Sequence, residues 1–265
     1  MRGMRSAIAA AAALAVLAGT SAVLGTGVAA ADTGSDAGSG FAAGDVVVYR
    51  VGDGTSALSS AGTAVFLDEY SPGGSLVRSV ALPTTAAAGS SDKPVVASGT
   101  ATSEGGLTLS ADSRYLVATG YDAAVGATGL SSSAAATVPR TVATVDASGT
   151  VDSSTALTDF SDGNNPRSAV SDDGQEFWVG GAAGGVRYAP LGASTSTSLV
   201  ASTYKNVRQL AIADGQLYTS ADPSKASVTV ATVGTGLPTT GTQAPRRSPT
   251  SPSPPRRPAR TATHC

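Results

Sequence analysis

Between about residue 45 and residue 234, short apolar runs rich in Val, Thr, Tyr and Leu alternate with clusters of Gly, Asp, Ser and Pro. The polar clusters recur roughly every 8 to 12 residues, which is typical of an all-β protein. No stretch of this region keeps a helical period of apolar residues over several turns. Many runs are apolar almost throughout, which favours strands packed between layers. The predicted strands are DVVVYRV, TAVFLDEY, SLVRSVAL, RYLVATGY, TVATVD, EFWVGG, GVRYAPL, GQLYTS and SVTVATVG.

An internal repeat organises these strands. The segments SADSRYLVATG, SDDGQEFWVGG and AIADGQLYTS align on Asp112, Asp173 and Asp214, and each predicts two strands joined by an Asp-containing turn. A second hairpin pattern follows between the copies, as in VFLDEYSPGGSLVRSVAL and VATVDASGTVDSSTAL. One hairpin of each kind makes a unit of four strands and about 50 residues, which is the size of a propeller blade.

The repeat also assigns faces to Phe177 and Trp178, which are neighbours on one predicted strand. Leu116 and Tyr218 occupy the position of Phe177 in the other copies, so this bulky column is predicted to pack between units. Trp178 then points to the opposite face. We expect it to be partly buried against the next unit, with a smaller cost on truncation than Phe177; a ligand-stacking role is the alternative.

Three stretches within residues 41 to about 243 carry a resemblance to a known family: VVVYRVGDGTSALSSAGTAVFLDEYSPGGSLVRSVALP, TSEGGLTLSADSRYLVATGYD and GNNPRSAVSDDGQEFWVGGAAGGVRYAPLG. Over this range the chain resembles secreted bacterial β-propeller domains of uncharacterised function. The resemblance implies an all-β, propeller-like fold and no particular activity. This chain holds about four blade units of four short antiparallel strands, whereas such rings usually have six or seven. We therefore expect an incomplete ring with two open edges. The Ala-, Gly-, Thr- and Ser-rich composition also resembles that of secreted actinomycete proteins.

The N-terminal sequence predicts secretion. Arg2 and Arg5 precede an Ala/Leu/Val stretch that ends in the small residues Ala29–Ala31, as in a cleaved signal peptide. The alternative is a membrane anchor, but interrupting glycines and the small-residue end favour cleavage. The predicted organisation is a signal peptide over 1–31, a flexible linker over 32–40, the propeller-like domain over 41–243 and a Pro/Arg-rich tail over 244–265.

The tail contains a sorting-like motif in an unsuitable context. Leu237–Gly241 reads L-P-T-T-G, the pattern that sortases cut, but no apolar span follows it. A turn after the last strand is therefore the preferred interpretation. Residues 245–265 are predicted to be disordered, either as a natural linker or polyanion-attracting tail or as an out-of-frame translation that replaced further blades.

Composition excludes several functions. Residues 32–244 hold all 19 acidic residues but only ten of the 17 basic ones, and these ten are scattered, which argues against nucleic-acid binding. His264 and Cys265 are the sole residues of their types. The domain therefore cannot contain a disulfide, a Ser-His-Asp triad, a Cys-His dyad or a His- or Cys-based zinc site.

The loop DFSDGNNPRSAVSDDGQE is the most polar candidate site. Asp159, Asp162 and Asn164 offer oxygen ligands for a hard cation such as calcium, although their spacing is not that of an EF-hand. Asn164, Asn165 and Arg167, together with Trp178, are the candidate ligand-binding residues. The same Asn and Asp residues are also typical of turns, and Arg167 could instead join neighbouring blades.

Two functions remain. The first is a secreted, non-catalytic propeller module, for binding or as a scaffold, whose partner is an extracellular protein, a glycan or a small ligand, with no cofactor and no membrane span after cleavage. The second is a cation-dependent propeller hydrolase of the lactonase or esterase type, which requires a metal held by Glu, Asn and Asp from several blades. Only Glu69, Glu104 and Glu176 are available for that purpose, so the binding module is preferred.

Overall fold

A computed structural model of the protein describes residues 40–222 and 229–247 of the 265-residue chain. Within these ranges the regular structure consists of β-strands and one turn of 3₁₀ helix at Leu130–Ser132. The prediction of an all-β protein is therefore confirmed. The predicted signal peptide, the linker up to residue 39 and the tail from residue 248 lie outside the described residues.

The described ranges contain sixteen strands. In chain order they are β1 (Val46–Val51), β2 (Gly62–Tyr70), β3 (Leu76–Ala81), β4 (Val96–Ser98), β5 (Thr108–Leu109), β6 (Tyr115–Tyr121), β7 (Arg140–Asp146), β8 (Val151–Leu157), β9 (Pro166–Val170), β10 (Glu176–Gly181), β11 (Val186–Pro190), β12 (Thr197–Ser198), β13 (Val207–Ala213), β14 (Gln216–Ala221), β15 (Val230–Val233) and β16 (Pro245–Arg247).

All strand pairings within the sheets are antiparallel, and the strands form four units. The first unit is β1-β2-β3 and the second is β5-β6-β7-β8; the short strand β4 pairs with both β2 and β6 and merges these two units into one eight-stranded sheet. The third unit is the sheet β9-β10-β11-β12, and the fourth is β13-β14-β15-β16. The last three units therefore follow the predicted pattern of an inner and an outer hairpin.

The predicted Asp turns connect the first two strands of these three units. Asp214 and Gly215 both have positive φ, at 49° and 69°, as a two-residue hairpin of type I′ requires. In the other two copies the aspartate caps the turn: Asp112 Oδ1 accepts from the backbone N–H of Arg114 at 3.1 Å, and Asp173 Oδ1 accepts from that of Gln175 at 2.9 Å.

Apolar clusters lie between consecutive units and hold them face to face. Leu67 and Val145 lie in the cluster between the first and second units, Phe177 in that between the second and third, and Trp178 in that between the third and fourth. Among the described residues, no cluster joins the fourth unit to the first. Within the described residues, the units are therefore stacked in chain order, and no other unit covers the outer face of the first unit or that of the fourth.

Phe177 and Trp178 occupy opposite faces, as predicted, and both are completely buried. The Trp178 ring packs against the Tyr188 ring, with 5.7 Å between the ring centres. Its Nε1 donates to the carbonyl oxygen of Pro238 at 2.7 Å. The burial of Trp178 is thus complete, where the sequence predicted only partial burial, because the segment between β15 and β16 folds over it.

The L-P-T-T-G segment is part of this packing. Leu237 contacts the cluster between the third and fourth units, and the backbone N–H of Gln243 donates to the carbonyl oxygen of Leu199 at 2.6 Å. The chain then returns to the sheet, where Pro245–Arg247 form β16 beside β15. The first residues of the Pro/Arg-rich segment, Pro245–Arg247, therefore belong to the sheet of the fourth unit. Among the described residues, no helix has the length and apolar character needed to cross a membrane.

Candidate functional site

A polar cavity of about 400 Å³ opens beside the start of the second unit. Three chain segments form it: the loop before β5, the 3₁₀ turn and the loop before β9. Its wall is dominated by hydroxyl and amide groups, with a single carboxyl group. The lining residues are Ser98, Thr100–Glu104, Ser131, Ser132 and Gly163–Asn165. A cavity of this size and lining accommodates a small, strongly hydrogen-bonding ligand.

Glu104 supplies the carboxyl group, and both of its oxygens accept hydrogen bonds. Oε1 accepts from the Tyr121 hydroxyl at 2.7 Å, and Oε2 accepts from the backbone N–H of Ser98 at 3.0 Å. Burial raises the pKa of Glu104 above its ordinary value, although these two hydrogen bonds act in the opposite direction. Burial, together with the charge of Glu104, also raises the pKa of Tyr121. Glu104 is therefore held in one orientation at the cavity wall.

Arg140 fixes the loop that forms the opposite side of the cavity. Its side chain is 1% exposed, and its Nη2 donates to the carbonyl oxygens of Ser133, Ser161 and Asn164 at 2.8, 3.1 and 2.9 Å. Its guanidinium also lies 5.1 Å from the centre of the Tyr121 ring. Burial lowers the pKa of Arg140. Because its donors bind backbone carbonyls, Arg140 sets the course of residues 161–164 and so the shape of the cavity.

A repeated Asn-x-Arg pattern continues the polar site from unit to unit. It occurs as Asn165-Pro166-Arg167 at the start of β9 and as Asn206-Val207-Arg208 at the start of β13. Asn165 Nδ2 donates to Ser103 Oγ at 2.8 Å, which joins the third unit to the loop before the second. Arg167 donates to Asn206 Oδ1, which joins the third unit to the fourth.

The first strands of the second, third and fourth units lie side by side, which brings the repeated polar residues together. Gly106 and Ser168 form a parallel bridge, and the backbone N–H of Leu210 donates to Ser168 Oγ at 3.1 Å. In the fourth unit, Asn206 Nδ2 and Arg208 both donate to Asp222 Oδ2 at 3.1 Å. A continuous polar row therefore runs from the cavity along the starts of these strands.

The structure divides the residues predicted as ligand-binding between the cavity and the interior. Asn164 and Asn165 line the cavity. Arg167 is 8% exposed and joins two units, which is the structural role considered for it in the sequence; burial lowers its pKa. Trp178 lies between the third and fourth units, away from the cavity lining.

The oxygen ligands predicted for a cation have separate partners. Asp159 Oδ2 binds the Arg187 guanidinium at 2.8 Å, and Asp159 Oδ1 accepts from the Ser196 hydroxyl at 2.9 Å. Asp162 Oδ1 accepts from the backbone N–H of Ala135 at 2.8 Å. Within residues 40–222 and 229–247, no three His, Cys, Asp or Glu side chains lie close enough together to hold a metal ion.

The charges around Glu104 also oppose a cation. The buried guanidinium groups of Arg140 and Arg167 both act electrostatically on the Glu104 carboxyl group. No ion pair with a carboxylate is formed by either arginine in the described part of the chain. A divalent cation at Glu104 would face two fixed positive charges, whereas an uncharged ligand would not.

Sequence reasoning did not assign Glu104, Tyr121 or Arg140 to the site. Arg140 had a detectable signal, since it is a charged residue that begins the apolar strand RTVATVD. The Asn-x-Arg repeat was also visible in the sequence. Glu104 had no such signal, because its environment is assembled from three loops that are far apart in the chain.

No protein-family model matches the chain, and no curated protein is significantly similar to it in sequence.

Proposed function

We propose that this protein is a secreted, non-catalytic β-propeller module that binds a neutral, hydroxyl-rich ligand, such as one or two sugar units, in the Glu104 cavity. The observation that carries the proposal is the lining of the cavity. Hydroxyl and amide groups both donate and accept hydrogen bonds, as sugar hydroxyls do. The single carboxyl group is already held by Tyr121 and Ser98.

Three features support a propeller. Four units are stacked in chain order, each of the last three has four antiparallel strands, and the first strands of these three lie side by side. In a propeller the first strands of all the blades together surround the central axis. The polar row of Asn165, Arg167, Asn206 and Arg208 then lies beside that axis. Secretion is supported by the leading arginines and the small-residue end of the N-terminal apolar stretch.

The same geometry gives little support to catalysis. A lactonase or esterase of the propeller type needs a bound cation, and the nearest guanidinium groups oppose one at Glu104. A nucleophile activated by His is excluded because His264 is the sole histidine and lies at the end of the Pro/Arg-rich tail.

The proposal is tested by calorimetric titration of the protein with a panel of neutral oligosaccharides. We expect at least one oligosaccharide to bind the parent protein. Asn165→Ala loses an amide at the cavity wall, so its affinity should be at least about tenfold lower, a difference of about 1.4 kcal/mol in binding free energy. Gln175→Ala is the matched control, since this exposed amide lies in the turn before β10, away from the cavity lining; it should leave binding unchanged.

A second titration tests the hydrolase. Calcium at 100 times its dissociation constant would stabilise the folded protein by about 2.7 kcal/mol. We expect calcium to leave the melting temperature unchanged. A calcium-dependent rise in melting temperature together with lactone or ester hydrolysis would overturn the binding module, as would a panel in which no neutral sugar binds the folded protein.

A further inference from the structure

The first unit has one face packed and one face open. Val47, Tyr49 and Leu67 point to the packed face, in the cluster with the second unit. Their neighbours along the strands point to the opposite face. There Val46 is opposite Tyr70, and Tyr70 is opposite Leu76 on the next strand.

This outer face exposes large aliphatic side chains. Val46, Val48 and Leu76 are 59%, 44% and 55% exposed. The row beside them carries the Asp68 carboxylate, which pairs with Arg50 and accepts from Ser79 Oγ at 2.6 Å. Because its charge is already neutralised within the sheet, this face can be covered by another sheet without leaving an unpaired buried charge.

The fourth unit has a complementary open face at the other end of the stack. Leu217 and Val233 point into the cluster with the third unit, whereas Tyr218 and Val230 point outward. On the outer side, the small residues Ala211 and Ser220 are among those that line a shallow, mainly apolar groove of about 150 Å³. Val230 borders this groove and is 53% exposed.

These two outer faces correspond to the two sides of an internal interface between successive units. Each internal interface joins the trailing face of one unit to the leading face of the next, and the chain leaves one leading face on the first unit and one trailing face on the fourth. We infer that the outer face of the first unit binds the outer face of the fourth unit of a second copy of this chain, head to tail. Two such contacts close a dimer of eight units, within the range of about four to eight blades known for propellers. The inference rests on the stacked units of the proposed fold and not on the proposed ligand.

Once the proposed signal peptide over residues 1–31 is removed, the two terminal segments of the chain are poorly suited to cover the face themselves. Residues 32–39 (DTGSDAGS) and 248–265 contain no Val, Leu, Ile, Met or aromatic residue. They therefore have no large side chains to pack against Val46, Val48 and Leu76. The fourth unit of another copy has an apolar groove instead, and a ridge of branched side chains can insert into it.

Sedimentation equilibrium over a wide range of protein concentrations tests the dimer. It is carried out on the parent protein and on two blocked variants, in each of which a substitution obstructs one of the two end faces. Leu76→Lys places a charge on the leading face and Val230→Lys places one on the trailing face; each should weaken self-association by at least about tenfold. Leu109→Lys is the matched control, because Leu109 is 54% exposed but lies on β5, away from both end faces. The control should associate like the parent protein.

Mixing the two blocked variants gives the decisive measurement. A head-to-tail contact joins the intact leading face of Val230→Lys to the intact trailing face of Leu76→Lys, so the mixture should contain heterodimers held by one contact. A face-to-face dimer of two first units would survive Val230→Lys and would overturn the inference. A parent protein that stays monomeric at every concentration, or one whose mass exceeds that of two copies, would also overturn it. Sugar binding by the monomeric variants, measured in parallel, distinguishes failure of this interface from failure of the proposed function.

Discussion

Trp178 offers the sharpest test of how the third and fourth units are joined. Its side chain is completely buried between them, contacts the Tyr188 ring and donates a hydrogen bond to the Pro238 carbonyl oxygen. Removing a buried Trp side chain costs about 3 to 5 kcal/mol. The hydrogen bond contributes about 1 kcal/mol within that range, because the carbonyl oxygen loses its donor. We therefore expect Trp178→Ala to lower the free energy of unfolding by about 4 kcal/mol. This loss is as large as that expected for Phe177→Ala, whereas the sequence alone predicted a smaller one.

Two further variants separate packing from hydrogen bonding. Trp178→Phe retains most of the buried ring and loses the N–H donor, so we expect a smaller loss of about 1 to 2 kcal/mol. Phe177→Ala, which affects the interface between the second and third units, should cost about 3 to 5 kcal/mol. The assay is urea denaturation followed by far-ultraviolet circular dichroism, because the variants at position 178 lack the sole tryptophan.

The same variants should change access to Leu237–Gly241. This segment is held over the Trp178 ring through Leu237 and Pro238, so limited proteolysis should cut it faster in Trp178→Phe than in the parent protein. A cost below about 1 kcal/mol for Trp178→Ala, or an unchanged rate of cleavage, would refute the packing argument. It would mean that the segment does not cover Trp178 in solution.

Two other predictions concern a titrating group and a strained turn. Burial raises the pKa of Glu104 above its ordinary value of 4.5, so the folded state holds this proton more tightly and stability falls as pH rises from about 4.5 through the raised pKa. In urea titrations at several pH values, the free energy of unfolding of the parent minus that of Glu104→Gln should therefore decline over this range and then level off; a rising difference would contradict the burial. Gly185 has φ +71°, and a Cβ there would overlap the Val200 carbonyl oxygen, whereas Gly54 has φ +80° with open space around it. Gly54→Ala should thus cost only about 1 to 2 kcal/mol, and Gly185→Ala clearly more in thermal melting; equal costs would contradict the close packing at Gly185.

Local sequence patterns determined much of the fold. Apolar runs located most of the long strands, and the Asp-Gly and Asp-Ser turns located their hairpins, because a tight turn depends on the backbone preferences of two or three adjacent residues. The opposite orientations of Phe177 and Trp178 followed from the two-residue period of a strand. The short strands β4, β12 and β16 were not predicted, since two or three residues carry no detectable period. They form only because a longer neighbouring strand supplies hydrogen-bond partners.

Tertiary structure alone decided the candidate site and the ends of the stack. The polarity of the loop at 159–167 was evident from the sequence, but its residues have separate roles: Asp159 binds Arg187, Asn165 lines the cavity and Arg167 joins two units. Glu104 has no distinctive neighbours in the sequence, and its properties come from burial beside Tyr121. Hydrogen-bonding and apolar patterns along a strand report which residues can be buried. Which unit covers which face depends on contacts between residues tens of positions apart, and these exist only after the units have packed.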